Sequence, residues 1–385
     1  MLTKLEQTFN YCQYTFSTRF GMLPFQFDWK SGKILGIQTS KLKKSIWKFW
    51  FWSAASYSAF MFVRLIQTFF LEETIHLGES AFHLMNTFFC TVFSIEGYIF
   101  FLKFPNENIF IYNQLYNHEK EEKKGIRLRH SLSEWLLLCL PSGNNFAVVM
   151  YIMSYLYNPN SRQFIFSVIP SDLQQRIYSF FPLFCVFEGS LISYLLGVSF
   201  HSAFIQVSFF EKCNETMDSE IRLMRSRART ISHVTINESY LKLRELYIDV
   251  KMFNKVFGQI IFIFRILCLV LSITGIFVAI RHFSDEPILS TVHLFSGTYT
   301  LVLFSVIYDH AFCIPDKMAL IKRELLEIST LLRSRFGDNI LYRKIKSIPS
   351  CGIQVGSFHT FERISTPNYL SYITQQVCNL LVTFR

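Results

Sequence analysis

The sequence is poor in charge. Only 17% of its 385 residues are Asp, Glu, Lys or Arg, where a soluble domain carries about 25%. The shortage excludes an ordinary water-soluble fold, because 51% of the chain is hydrophobic, 43 residues are Phe and the mean hydropathy is +0.27. That is more apolar surface than one core can hide, so the expectation is an all-α, polytopic membrane protein. A signal peptide is also missing: the first thirty residues hold Glu6, Arg19, Asp28 and Lys30 and no long apolar core. The first span must then start insertion itself. None of the nine Cys falls in an expected outer loop, so no outer disulfide is implied. No motif for hydrolysis, nucleotide binding or metal ligation occurs, and His310 and Cys313 are too sparse for a zinc site. The chain is expected to be no enzyme and to need no cofactor. An internal repeat of the kind many transporters carry is absent too.

What is there is a series of seven apolar stretches near the 20 or so residues a bilayer requires. They run over 45–70, 77–101, 136–157, 178–210, 257–280, 292–313 and 369–384. The third is interrupted by Pro141, Ser142, Gly143, Asn144 and Asn145.

The net charge of +10 would suit nucleic acid if it were spread over one surface. It is instead sorted by loop. Lys41, Lys43 and Lys44 precede the first span, and Lys120, Lys123, Lys124, Arg127 and Arg129 fill the second-to-third loop. Arg222, Arg225, Arg227 and Arg229 follow the fourth span, and Lys322, Arg323, Arg343, Lys344 and Lys346 follow the sixth. The alternate loops hold only Arg162, Arg176 and Arg281. Basic loops stay cytoplasmic. The expected N-terminus is therefore inside, the expected C-terminus outside, and nucleic acid is no partner. The organisation read from this is a cytoplasmic segment over 1–44 and four spans within 45–210, with a basic inner loop at 102–131. Cytoplasmic amphipathic helices follow over 211–256, spans five and six over 257–313, a cytoplasmic helical anchor over 314–365 and the last span over 366–385. Sequons at Asn214 and Asn237 fall on the inner face and are read as chance matches.

The inner segments are patterned. Ile236, Tyr240, Leu243, Tyr247, Val250, Asn254 and Phe257 alternate in steps of four and three, and Met318, Ile321, Leu325, Ile328 and Leu332 repeat the pattern. Such seams belong either to amphipathic helices lying on each other or on the membrane, or to a cytoplasmic bundle continuing the spans. In the bundle reading the seams hold subunits together and Asn254 helps set register.

The last span carries amides. Gln375, Asn379 and Thr383 are spaced by four, and Gln376 lies three before Asn379. Lipid does not tolerate exposed amides, so this stripe faces protein or water. It either bonds to a neighbouring helix or lines a pore, with Phe384 as an apolar plug. Arg265 and Asp309, in consecutive spans, are expected to form a structural ion pair. Glu188, in the fourth span, has no basic partner at its depth and is left to a water-filled cavity or a protonated state.

Two segments resemble the insect gustatory receptors, seven-span chemoreceptor channels related to the insect odorant receptors. "YLKLRELYIDVKMFNKVFGQIIFIF" is similar to that family's approach to its fifth span. "GSFHTFERISTPNYLSYITQQVCNLLVTF" is similar to its C-terminal block. The block's Thr-Tyr pair is replaced here by Gln376-Val377 and its Gln-Phe pair by Thr383-Phe384. The topology, with its inner N-terminus and no cytoplasmic tail, agrees. The resemblance implies a multi-pass protein of the plasma membrane, tetrameric with itself or with related subunits. It implies a ligand-gated, non-selective cation channel lined by Gln375, Gln376, Asn379, Thr383 and Phe384. It further implies that a small-molecule tastant enters from outside among His83, Tyr151, Tyr155, Phe184, Glu188, Thr274, His293 and Tyr299. The alternatives are a seven-span receptor signalling through a partner or G protein, and a transporter.

Overall fold

The computed structural model describes residues 4–28, 30–71, 77–119, 132–176, 178–227, 233–285, 287–336, 340–362 and 365–383. Lys120, Lys123, Lys124, Arg127, Arg129, Arg229 and Phe384 lie outside them. The first 44 residues are more structured than the sequence suggested. Helix α1 (Lys4–Arg19) leads into a hairpin of β1 (Phe25–Asp28) and antiparallel β2 (Lys33–Ile37). Asp28 accepts from the Ser31 amide at 3.2 Å, and Gly32 supplies the positive φ the turn needs, at 68°. Tyr14, Phe25 and Ile34 are buried in the bundle. The Tyr14 hydroxyl is 2.7 Å from His201 Nδ1, and Asn108 reaches the other ring nitrogen at 2.9 Å.

Helices lie over all seven expected apolar segments. They are α2 (Lys41–Leu71), α3 (Leu77–Tyr98), α5 (Leu132–Tyr157), α7 (Phe181–Arg227), α8 (His233–His282), α9 (Pro287–Phe312) and α12 (Ser365–Thr383). Four stretches are long and apolar enough to cross a membrane by length and composition: Gly78–Lys103, Phe181–Ser226, Ile236–His282 and Ser290–Thr330. Between the long helices stand α4 (Pro105–Glu119), α6 (Ser171–Arg176), α10 (Ile314–Phe336) and α11 (Ile340–Ser347). A short hairpin of β3 (Gln354–Val355) and β4 (His359–Thr360) precedes α12. Helix α5 continues through Pro141, and the Asn144 amide donates to the Leu196 carbonyl of α7 at 3.2 Å.

Helices α7 and α8 are 47 and 50 residues long, so each runs well beyond its apolar part. Their extensions pair through a column of rings. Phe253 stacks on Phe209 at 4.1 Å and on Phe257 at 4.5 Å, with planes within 7°. The seam residues Ile236, Leu243, Val250 and Phe257 are buried in the single chain, as are Met318, Ile321 and Leu325 of α10. The seams therefore pack α8 and α10 within one subunit, and this corrects the expectation that they join subunits. Asn254 does not set register. It donates to the Gly352 carbonyl at 2.8 Å and accepts from the Gln354 amide at 3.0 Å, which ties the β3–β4 hairpin to α8. Asn214 is buried and donates to the Phe210 and His310 carbonyls, so it offers no sequon surface.

At the other end α8 and α9 touch backbone to backbone. A Cβ on Gly275 would stand 2.7 Å from the His293 carbonyl oxygen and 3.1 Å from the Gly297 Cα. Only glycine permits that approach.

Candidate functional site

Helix α12 has two unlike sides. Tyr369, Ile373 and Val377, spaced by four, are buried and pack the helix on α8. At its far end Leu380 and Leu381 rest on Ala81, Phe277 and Val278. Gln375, Asn379 and Thr383 are exposed on the opposite side, and Gln376 is half-buried between the two. The sequence stripe thus survives as an open face of the single chain. Among the described residues no other helix covers Gln375 or Asn379. The Thr383 hydroxyl donates to the Asn379 carbonyl at 2.8 Å, which leaves its oxygen lone pairs outward.

The base of α12 is held by aromatic and basic groups. Tyr369 stacks on Phe304 at 4.3 Å, and Phe361 lies 5.0 Å from Tyr308. The Arg265 guanidinium stands over the Tyr369 ring at 5.9 Å and donates to His359 Nε2 at 2.8 Å. Burial first, and the Arg265 charge second, lower the pKa of His359, which suits a neutral ring accepting from a cation. Arg265 and Asp309 form no ion pair among the described residues. Asp309 is exposed, and the guanidinium is turned toward the hairpin and α12 instead.

The expected ligand residues separate into groups. Glu188, Tyr151, Tyr155 and Phe184 come together where α2, α5 and α7 meet the loop over 158–170. Glu188 Oε1 accepts the Ile165 amide at 2.8 Å, and Oε2 lies 3.1 Å from both the Tyr57 and Tyr151 hydroxyls. The two hydroxyls are 2.6 Å apart, and the Tyr57 oxygen is 2.8 Å from the Gln163 carbonyl oxygen. Around this polar node stand rings. Phe164 meets Tyr155 edge to face at 4.7 Å and Tyr151 at 5.5 Å, while Phe166 meets Phe181 and Phe184 at 5.4 and 5.8 Å. His83 is adjacent, with Nε2 3.1 Å from the Met61 carbonyl, and Asn86 bonds the Gln163 side chain at 3.2 Å.

Thr274 and His293 lie apart from this group, at the α8–α9 contact, where the His293 ring is 6.1 Å from Phe82. Tyr299 is 43% exposed, stacks on Phe295 one turn earlier on α9, and directs its hydroxyl to Gly143 of α5, away from the Glu188 contacts. Glu96, another acid of the spans, is fully buried, and neither of its oxygens meets hydrogen-bond geometry with a described residue. Sequence reasoning missed Tyr57, Gln163, Phe164 and Ile165. A signal existed in "RQFIF", an apolar and aromatic run inside the loop between α5 and α7, which is where a loop that folds back on the bundle would carry it.

No protein-family model matches the chain, and no curated relative matches it. Among solved structures it resembles the insect olfactory receptor OR5 from Machilis hrabei, with a TM-score of 0.59 and 10% identity. The match covers 97% of this chain and 99% of that one. From the N-terminal helix to the open amide face of α12, the chain has the fold of that insect olfactory receptor.

Proposed function

We propose that the chain is a subunit of a ligand-gated, cation-conducting chemosensory channel. It crosses the plasma membrane seven times, with its N-terminus inside and its C-terminus outside. Four copies, alone or with related subunits, surround an axis lined by α12. The observation that carries this reading is the amide face of α12. Gln375 and Asn379 point away from their own bundle, yet hydrocarbon does not accept them. Copies of the same helix around water satisfy them, and rings of amide and hydroxyl oxygens suit partly hydrated cations. The fold shared with an insect olfactory receptor supports the receptor half of the proposal, and the C-terminal resemblance supports a gustatory type, with a small tastant as the stimulus. The sorting of Lys and Arg supports the topology.

The test is permeation. Asn379→Asp adds up to four carboxyls to a narrow passage and is expected to favour cations and strengthen divalent block, even if some carboxyls stay protonated. Asn379→Leu is expected to suppress current at normal surface expression by drying the passage. Unaltered selectivity and block in a well-expressed Asn379→Asp protein sinks the pore assignment and leaves the stripe as a helix contact. The topology is checked separately: a tag after Arg385 is reached by antibody on intact cells, and a tag before Met1 is not.

A further inference from the structure

The node at Glu188 has too few hydrogens for its oxygens. Four close contacts join Glu188 Oε2, the Tyr57 and Tyr151 hydroxyls and the Gln163 carbonyl, at 2.6 to 3.1 Å. Two hydroxyl protons are available to serve them, because a carbonyl and a carboxylate only accept. Even a protonated Glu188 leaves three hydrogens for four contacts. The node is therefore an acceptor cluster, and it is deep: Glu188 is 1% exposed. Beside it the Tyr155 hydroxyl, on a residue also 1% exposed, has no hydrogen-bond partner among the described residues. Tyr155 stands one turn beyond Tyr151 on α5.

The walls are aromatic, and no ion pair to Glu188 is found among the described residues. Arg162 is turned to Thr68 at 3.3 Å, and Arg64 to Gln67 and Ser167 at 3.1 and 3.4 Å. The ring inside the cage is the loop's own Phe164, fully buried between Tyr151 and Tyr155. A buried acceptor cluster with ring faces around it is the complement of a positively charged donor.

We propose that the Glu188 node recognises an organic ammonium ion. Its nitrogen donates to Glu188 and to the tyrosine oxygens, and its apolar part takes the position of the Phe164 ring. This deepens the receptor reading and rests on it for the biological consequence. Binding itself is read without any current.

Purified full-length protein in detergent is titrated with 2-phenylethylamine, with its neutral counterpart 2-phenylethanol and with the anion 3-phenylpropanoate. The amine is expected to bind at least tenfold more tightly than either. Glu188→Gln is expected to erase that preference. Tyr151→Phe, which keeps the ring and removes one acceptor, is expected to weaken the amine several-fold and leave the alcohol unchanged. Equal binding of amine and alcohol to the unaltered protein overturns the proposal, as does binding of none of the three. Stabilisation by sodium ion but not by the amine gives the node to an alkali cation and overturns it as well. Amine binding without an amine-evoked current sinks the channel reading and leaves the site. Current evoked by a neutral ligand, with no amine binding, does the reverse.

Discussion

The two ends of the helix bundle are held in different ways. At the end carrying the extended α7 and α8, long-range polar bonds close on one another. Asn254 holds the hairpin before α12, Lys242 meets Glu220 at 2.5 Å, Lys317 meets Asp218 at 2.8 Å, and the Gln114 amide donates to Asp249 at 2.9 Å. At the opposite end, where α3, α5 and α9 begin or finish, Ser80, Ser290 and Tyr155 hold buried hydroxyls with no hydrogen-bond partner among the described residues; the extended end has such atoms too, Ser208 Oγ and Asn214 Oδ1, but sets them among those long-range bonds. The loop at 158–170 is fastened there through the acceptor cluster at Glu188 and through the partners of Gln163, Arg162 and Ser167. An end with fewer charged and long-range polar ties opens at lower cost, so it is the end where water, ligands and movement are accommodated. An end tied by ion pairs and long-range hydrogen bonds is a base against which something else moves.

The largest expected effect breaks the base. Phe253→Ala removes the middle of the three-ring column and leaves a cavity between α7 and α8. A loss of about 3–5 kcal/mol is expected, seen as a collapse of the folded fraction in a thermal melt in detergent. A melt within 1 °C of the original would show that the column is not what joins these helices. Next is Asn254→Ala, which strands the Gly352 carbonyl and the Gln354 amide. About 1–3 kcal/mol is expected from the melt, together with a ligand-free current, because the hairpin sets the base of α12. A destabilised protein that stays silent without ligand would separate the clamp from the gate.

Smaller still is Ser290→Ala at the loose end. If that hydroxyl is unbonded as found, the change is neutral or stabilising by up to about 1 kcal/mol. A destabilisation above that figure would break the comparison by showing that the hydroxyl is engaged. The smallest effect belongs to an exposed pair at the tight end. The Lys255 ammonium, 2.9 Å away, holds the Glu107 carboxyl below its ordinary pKa. A depressed carboxylate contributes stability above its unfolded pKa and loses it as pH falls through the folded one. Both groups are part-exposed, so only a few tenths of a kcal/mol are expected. Lys255→Met should flatten the acid limb of the melt-versus-pH curve by that small amount.

How much of this was legible in the sequence depended on distance along the chain. Hydropathy marked the helices over the seven apolar stretches, because an apolar run of about twenty residues is a local feature of the sequence. Heptad-like spacing marked the seams of α8 and α10 for the same reason. What spacing does not carry is the identity of the surface opposite. The seams turned out to close one subunit on itself, whereas the amide stripe of α12 turned out to be open. Glu188 was visible as an anomaly, but its partners Tyr57 and Ile165 lie 131 residues before it and 23 before it, on another helix and a loop. Arg265 drew the nearest acid in an adjacent span as a guess, and its real neighbour, His359, is 94 residues away. The N-terminal hairpin was overlooked because two strands of four and five residues are too short to show a period.

The length of α8 has a mechanical meaning. Fifty residues make a rod of about 75 Å. It is welded to α9 at Gly275 and pinned to the hairpin at Asn254, two points 21 positions and about 30 Å apart. Between a weld and a pin, a rod behaves as a lever. A tilt of about 5° at the Gly275 fulcrum carries the Asn254 pin sideways by about 3 Å, and with it the hairpin that starts α12. Work done at the Gly275 end of the bundle would thus be delivered as leverage at the foot of α12, with no wire of side chains in between.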